Sequence, residues 1–283
     1  MNRKNLAACT GLSILVGFAA ATAGYAALHL RASNRLARRA HPFERCAEPE
    51  GARLLVVGDS TAGGAGASDP DRSLPGLLSR ANPSLTVVNR AVPAARYEDI
   101  LTQLDGDERF DAVLILGGAD DVLRATRDAA LRDSVRRVAQ RARVRSEMVV
   151  FMPPGNLGNL RFFLPPWNWW MTYRARRLQA IVAEVAEANG ARHVSLFMER
   201  EDDPFARHPG RLSARDGLHP NDAGYELWQR ELETQAQLSA RLRKIGRSAA
   251  VRGPVTDPGG LSGRRRAAPR RPAAPLGGSD HTK

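Results

Sequence analysis

Five short apolar runs, most of them closed by a turn residue, constrain this chain more than any other feature. They are Leu54–Val57 before Gly58, Leu85–Val88 before Asn89, Ala112–Leu116 before Gly117, Met148–Met152 before Pro153, and His193–Phe197. Runs of this length without strict alternation suit strands buried on both faces, as in parallel sheets. Helical periodicity lies between them. Leu131, Val135, Val138 and Val144 recur over roughly 127–144. Leu178, Ile181, Val182, Val185 and Ala188 mark a second helix from about Tyr173 to Asn189, which Gly190 stops. Pro220-Asn221 opens a last helix toward Arg241. Strands alternating with helices predict an α/β fold, a three-layer α/β/α sandwich with a five-stranded parallel sheet and right-handed crossovers.

Such folds gather their chemistry at the carboxyl ends of the strands. The residues just past the runs are therefore the candidates: Gly58–Gly64, Asn89–Ala94, Gly117–Asp121 and, after the fifth run and a loop, Asp216–Asn221. Ser60 is read as standing where a strand turns into a helix, where free N–H groups hold a developing oxyanion. The competing reading is that Ser60 only caps that helix. Asp216 and His219 are three apart in a turn. At that spacing the carboxylate can orient the ring while its other nitrogen faces a serine.

With these residues the chain resembles the GDSL, or SGNH, family of serine esterases and lipases over roughly residues 53–235. Arg53-Leu-Leu-Val-Val-Gly-Asp-Ser60 looks like the family's first block, and Asp216-Gly-Leu-His-Pro-Asn-Asp-Ala-Gly-Tyr225 like its last. The resemblance implies a flavodoxin-like α/β/α fold, Ser60 as nucleophile, Asp216 and His219 as its partners, and ester or thioester hydrolysis without metal or cofactor. It also implies a flexible loop after the nucleophile, here Thr61–Gly66, and an oxyanion hole built by Ser60 with two further blocks. This sequence departs from the family in both of those blocks. Ala94 stands where a glycine N–H is usual, and Ala119 where an asparagine amide is usual. Losing one side-chain donor of that kind costs about 2.7–4 kcal/mol of transition-state stabilisation. Asn156 and Asn159, past the fourth run, are candidate substitutes, whereas ionised Asp120 and Asp121 cannot donate.

The ends of the chain read differently from the middle. The net charge of +12 divides into +6 over residues 1–46, −3 over 47–240 and +9 over 241–283. The basic character thus belongs to the ends, which argues against a nucleic-acid-reading domain. Leu6–Leu30 holds no Lys, Arg, Asp or Glu, long enough as a helix to span a bilayer core of about 30 Å. The expectation is a membrane-spanning signal anchor over 1–30, with orientation left open by Arg residues on both sides. A cleaved signal peptide ending near Ala21-Thr22-Ala23 and a buried helix are the alternatives. Residues 31–50 read as a basic linker, 51–240 as the hydrolase domain, and 241–283 as a disordered basic tail. The expected setting is a single-pass protein of the cell inner membrane, contacting lipid through its first helix and its tail.

Phe162–Trp170 holds three of the four tryptophans and reads either as a packed loop or as an apolar pocket or membrane-facing edge. His193 reads as structural, and His208 has no partner pattern. The leading function is a serine hydrolase of lipid, acyl or acetyl esters. The alternative, resting on Ala94 and Ala119, is a weakened or inactive member that binds acyl or sugar groups. Nucleotide binding through Gly63–Gly66 lacks the lysine of a P-loop.

Overall fold

The structure, a computed structural model, describes residues 3–47 and 51–252. The long first helix α1 is Arg3–Ala37. The strands are β1 Arg53–Gly58, β2 Thr86–Asn89, β3 Ala112–Leu116, β4 Val149–Phe151 and β5 Arg192–His193. Between and after them run α2 Leu74–Ala81, α3 Tyr97–Gln103, α4 Ala119–Leu123, α5 Asp128–Arg145, α6 Trp167–Ala188, α7 Pro204–Arg207, α8 Pro209–Leu212, α9 Asp222–Ala236 and α10 Leu238–Arg252.

All strand pairs are parallel, in the order β2-β1-β3-β4-β5. Each apolar run serves two cores because successive side chains point to opposite faces. Leu55, Val57, Val113, Ile115 and Phe151 meet α3, α5 and α6. Leu54, Val56, Leu114, Leu116 and Val150 meet α2, α9 and α10. Burying each such side chain stabilises the fold by about 1.5–3 kcal/mol. The three-layer sandwich expected from the sequence is formed, and the strand order reverses direction between β1 and β3. A crevice forms at such a switch point, and Ser60 follows β1 directly.

Several local expectations need correction. No helix starts at Ser60. Residues 60–66 form successive tight turns, with Gly63 N donating to Asp59 O at 3.2 Å and Ala65 N to Ser60 O at 2.9 Å. Positive φ at Gly64 (83°) and Gly66 (91°) is incompatible with a right-handed helix. Nor are these turns an open loop, since Ala62, Gly63, Gly64 and Ala65 are buried. The fifth strand pairs only over Arg192–His193. Helix α6 begins six residues earlier than its apolar stripe suggests, so Trp167, Trp169 and Trp170 are helical. The last helix is two: Gln237 adopts a left-handed conformation (φ 53°) and α10 continues to Arg252. The tail expected from 241 is therefore helical over its first part, and residues 253–283 lie outside the described residues.

At the other end the expected helix forms, but it does not stop at Leu30. Among the described residues no helix is long and apolar enough to cross a membrane, so the membrane-spanning anchor is not borne out. Part of α1 instead meets the domain. Thr22, Ala26, Ser33 and Ala37 are buried, and Ala19, Ala23 and Leu30 are half-buried. Spacings of three and four make this one stripe of the helix. It rests on the domain, where Trp167 Nε1 donates to Ala19 O at 3.0 Å. Within the described part of the expected linker, Arg45 and Val87 exchange backbone hydrogen bonds of 3.0 and 2.8 Å across the free edge of β2.

Candidate active site

The rim past the strand ends brings Ser60, Asp216 and His219 together. Ser60 Oγ lies 2.9 Å from His219 Nε2. His219 Nδ1 lies 2.5 Å from Asp216 Oδ2. The other carboxylate oxygen, Oδ1, accepts from the backbone N–H groups of Leu218 and His219, each at 3.1 Å. Asp216 thus closes its own turn with one oxygen and fixes the ring with the other. Burial pushes its carboxyl up, but the hydrogen bond and charge of His219 outweigh this and hold it below the usual range.

The remaining residues of the last block hold that loop in place. Gly217 takes a left-handed φ of 70°. Asn221 caps α9, accepting from Gly224 N at 3.1 Å. Asp222 accepts from Ser68 N at 2.8 Å and Ser68 Oγ at 2.6 Å. Tyr225, fully buried, donates toward Ala65 O at 2.8 Å and Thr61 O at 3.2 Å. The block therefore ties His219 to the turn that carries Ser60. Gly66 permits the approach: a Cβ there would lie 2.3 Å from Pro220 O and 2.9 Å from His219 Cβ.

Behind the serine, Asp59 is almost wholly buried (1% exposed). It accepts from Thr61 N at 2.9 Å and Thr61 Oγ1 at 2.7 Å. Burial raises its pKa to about 6, against the lowering effect of those bonds. Gln103 clamps the end of β1, donating to Gly58 O at 2.9 Å and accepting from Gly58 N at 2.7 Å. Asn89 Nδ2 donates to Ala62 O at 2.9 Å. No sequence signal marks the Gln103 clamp, because Gln103 sits inside a helix far from any block.

The two alanine positions differ. Ala94 holds φ 62°, the left-handed conformation that a glycine adopts readily. Among the described residues, neither its N–H nor that of Ser60 donates a hydrogen bond within the chain. Ala119 opens α4 and lines the cavity beside Ser60, as do Asp120, Asn156 and Asn159. Asn159 Nδ2 is committed to Met198 O (3.3 Å) and Asp203 Oδ2 (2.7 Å). Asn156 Nδ2 makes one long bond, 3.4 Å to Met198 O, and so retains a free N–H. Asp120 pairs with Arg124 at 3.1 Å, and burial raises its pKa. Asp121 instead accepts from Tyr97 N at 2.9 Å. His193 bonds Gln179 Oε1 at 2.8 Å, away from the rim, and His208 is exposed ahead of α8.

A cavity of about 460 Å³ opens over Ser60 and His219. Phe162 reaches its wall, whereas Trp169 and Trp170 face outward at 66% and 44% exposure. The aromatic segment is therefore divided between the pocket and the surface. A hydroxyl, an imidazole and a carboxylate hydrogen-bonded in series can pass a proton from the hydroxyl to the ring.

A doubly wound α/β domain with such a chain of groups at its switch point is the architecture of a hydrolase. The chain belongs to the GDSL-like lipase/acylhydrolase family, whose family model matches residues 56–227, and at family level it is an enzyme acting on ester bonds. No curated protein sequence matches it. Among solved structures it is similar to TesA, at TM-score 0.52 and 22% identity over 66% of this chain and 99% of that one. A catalytic mutant of Axe2, an acetylxylan esterase from Geobacillus stearothermophilus, matches at TM-score 0.52 and 19% identity, over 68% and 96% of the two chains. A putative lipolytic protein of the G-D-S-L family from Desulfitobacterium hafniense matches at 0.51 and 15%, over 68% and 99%. At these identities the three likenesses establish the fold.

Proposed function

We propose that this protein hydrolyses carboxylic esters through an acyl-enzyme on Ser60. The observation that carries the reading is the 2.9 Å contact between Ser60 Oγ and His219 Nε2, backed by Asp216 at 2.5 Å. His219 takes the proton of Ser60 as Oγ attacks the acyl carbonyl, and the C–O bond to the alcohol breaks as His219 returns that proton to the leaving oxygen. Water then adds to the acyl carbon by the same route, releasing the acid and restoring Ser60. Asp216 keeps Nδ1 protonated and stabilises the imidazolium. The free N–H groups of Ser60 and Ala94 are the proposed oxyanion donors, with the free amide hydrogen of Asn156 as a third. The proposed substrates are lipid, acyl or acetyl esters.

The presence of Ala119 in the cavity wall favours a second reading, in which turnover is weak and the cavity mainly binds. One experiment separates the two. The whole chain is treated with a fluorophosphonate and assayed on p-nitrophenyl esters beside Ser60→Ala. Labelling and hydrolysis that both vanish in the variant support the first reading. A folded wild type that neither labels nor turns over overturns it.

A further inference from the structure

Helix α1 lies outside residues 56–227, yet Tyr25 and His29 line the same cavity as Ser60 and His219. The two side chains begin an aromatic ladder that crosses from the helix into the domain. Tyr25 meets His29 edge-on, with ring centroids 4.5 Å apart. His29 stacks on Phe162 at 5.4 Å and 2° between planes. Phe162 packs on Phe163 at 4.7 Å. The ladder adjoins the reacting groups, since a Cβ on Gly217, between Asp216 and His219, would lie 3.8 Å from Phe162 Cδ1. Leu123 and Leu160 line the cavity too.

The stripe from Ala19 to Ala37 explains how the ladder is held. It seats the helix on the domain and leaves Tyr25 (47% exposed) and half-buried His29 to line the cavity. The cavity wall also carries Asp120, Asn156 and Arg161, but the rings and leucines on it offer dispersion and desolvation to an alkyl chain.

We infer that Tyr25 and His29 of the N-terminal helix form a wall of the substrate cavity and set the preference for an alkyl chain on the ester. This rests on the ester-hydrolase reading above. The alkyl chain belongs either to the acid or to the alcohol, and the two sources are separable. Extending the chain in a hydrophobic pocket is worth roughly 10–200-fold per methylene at most, so removing part of the wall reads as a change in chain-length preference.

The test compares the whole chain with His29→Ala and with Tyr25→Trp, the second adding bulk at a half-exposed position. One arm takes p-nitrophenyl acetate against octanoate, the other ethyl acetate against octyl acetate. The expected result is about a tenfold fall in the long-to-short kcat/KM ratio of one arm in His29→Ala, restored by His29→Phe, which keeps a stacked ring. Tyr25→Trp shifts the same arm toward shorter chains. A third measurement is free of turnover: binding of octanoate and of octanol to Ser60→Ala, with and without His29→Ala. Weaker binding with His29→Ala, where the wild-type chain itself shows no turnover, upholds the wall and sinks only the hydrolase reading. Ratios and affinities unmoved by both substitutions overturn the inference.

Discussion

The carboxylate of Asp216 is bound on both sides of its function: one oxygen faces His219 Nδ1 at 2.5 Å, the other holds the backbone N–H groups of Leu218 and His219. An asparagine keeps the second task and loses the first. Asp216→Asn is therefore expected to fold normally and to lower kcat by about 10³–10⁴-fold, because the ring loses its charged partner and its tautomer. Thermal melting and ester kinetics on the same preparation check both halves. A large drop in melting temperature would place the main role of Asp216 in the turn instead.

Ala119 gives a gain-of-function expectation. It opens α4 and lines the cavity, where the family's third block carries an amide. Asn introduced there adds a donor beside the reacting oxygen. With a full donor valued at roughly 10²–10³ in rate, Ala119→Asn is expected to raise kcat by about 10–100-fold with a smaller change in KM. An unchanged kcat means another donor, with Asn156 the first to test, already fills that position.

Much of the fold and of the rim is legible in the amino-acid sequence alone. Continuous apolar runs with turn residues after them specify buried parallel strands, and strand ends specify the rim. Asp216 to Tyr225 is legible because Asp216, Gly217, His219, Asn221, Asp222 and Tyr225 each do a job that suits their residue type. The turn after Ser60 is harder to read, because a strand followed by Asp-Ser-Thr looks like a helix start, while Gly64 and Gly66 at positive φ forbid one. Helix α1 is legible as a helix, but its contact stripe on the domain is not. Hydropathy marks a segment as apolar without saying which of its residues meet the domain: Thr22, Ala26, Ser33 and Ala37 are buried, whereas Leu15, Val16, Phe18 and Leu28 are exposed.

Asp59 ties stability to pH. Burial raises its pKa from 3.8 to about 6, so between those values the native state binds more protons than the unfolded chain. Stability then falls as pH rises through that window. The shift corresponds to about 3 kcal/mol. Asp216 works in the opposite sense and lower down: its depressed pKa contributes stability that is present above 3.8 and lost in acid. Asp59→Asn is expected to be more stable than wild type at pH 7.5, with the gap shrinking toward pH 4. Urea denaturation at the two pH values measures it, and a gap independent of pH would refute the assignment.

Ala94 keeps a glycine's conformation without being glycine. At φ 62° its Cβ crowds the backbone at a cost of about 1–2 kcal/mol, partly offset by the greater freedom that glycine has when unfolded. Ala94→Gly is expected to raise stability by about 0.5–1 kcal/mol while preserving the N–H offered to the oxyanion. A kcat within about twofold of wild type, beside a higher denaturation midpoint, is the expected pair of results.

Gly66 gives the opposite sign at a comparable dihedral. Its φ of 91° already disfavours a side chain, and the Cβ of an alanine would also meet Pro220 O at 2.3 Å, His219 Cβ at 2.9 Å and Ala214 Cβ at 3.0 Å. Two of these contacts are the loop that carries the imidazole. Relief therefore requires the turn 60–66 and the His219 loop to move apart, which lengthens the 2.9 Å Ser60–His219 contact. Misplacement on the scale of about 1 Å costs about 10²-fold in rate. Gly66→Ala is expected to lose at least that much kcat even where it remains folded, with slower fluorophosphonate labelling of Ser60. A variant that melts early yet labels at the wild-type rate would show that Gly66 serves the fold alone, and that the two loops are aligned by Tyr225 and Asp222.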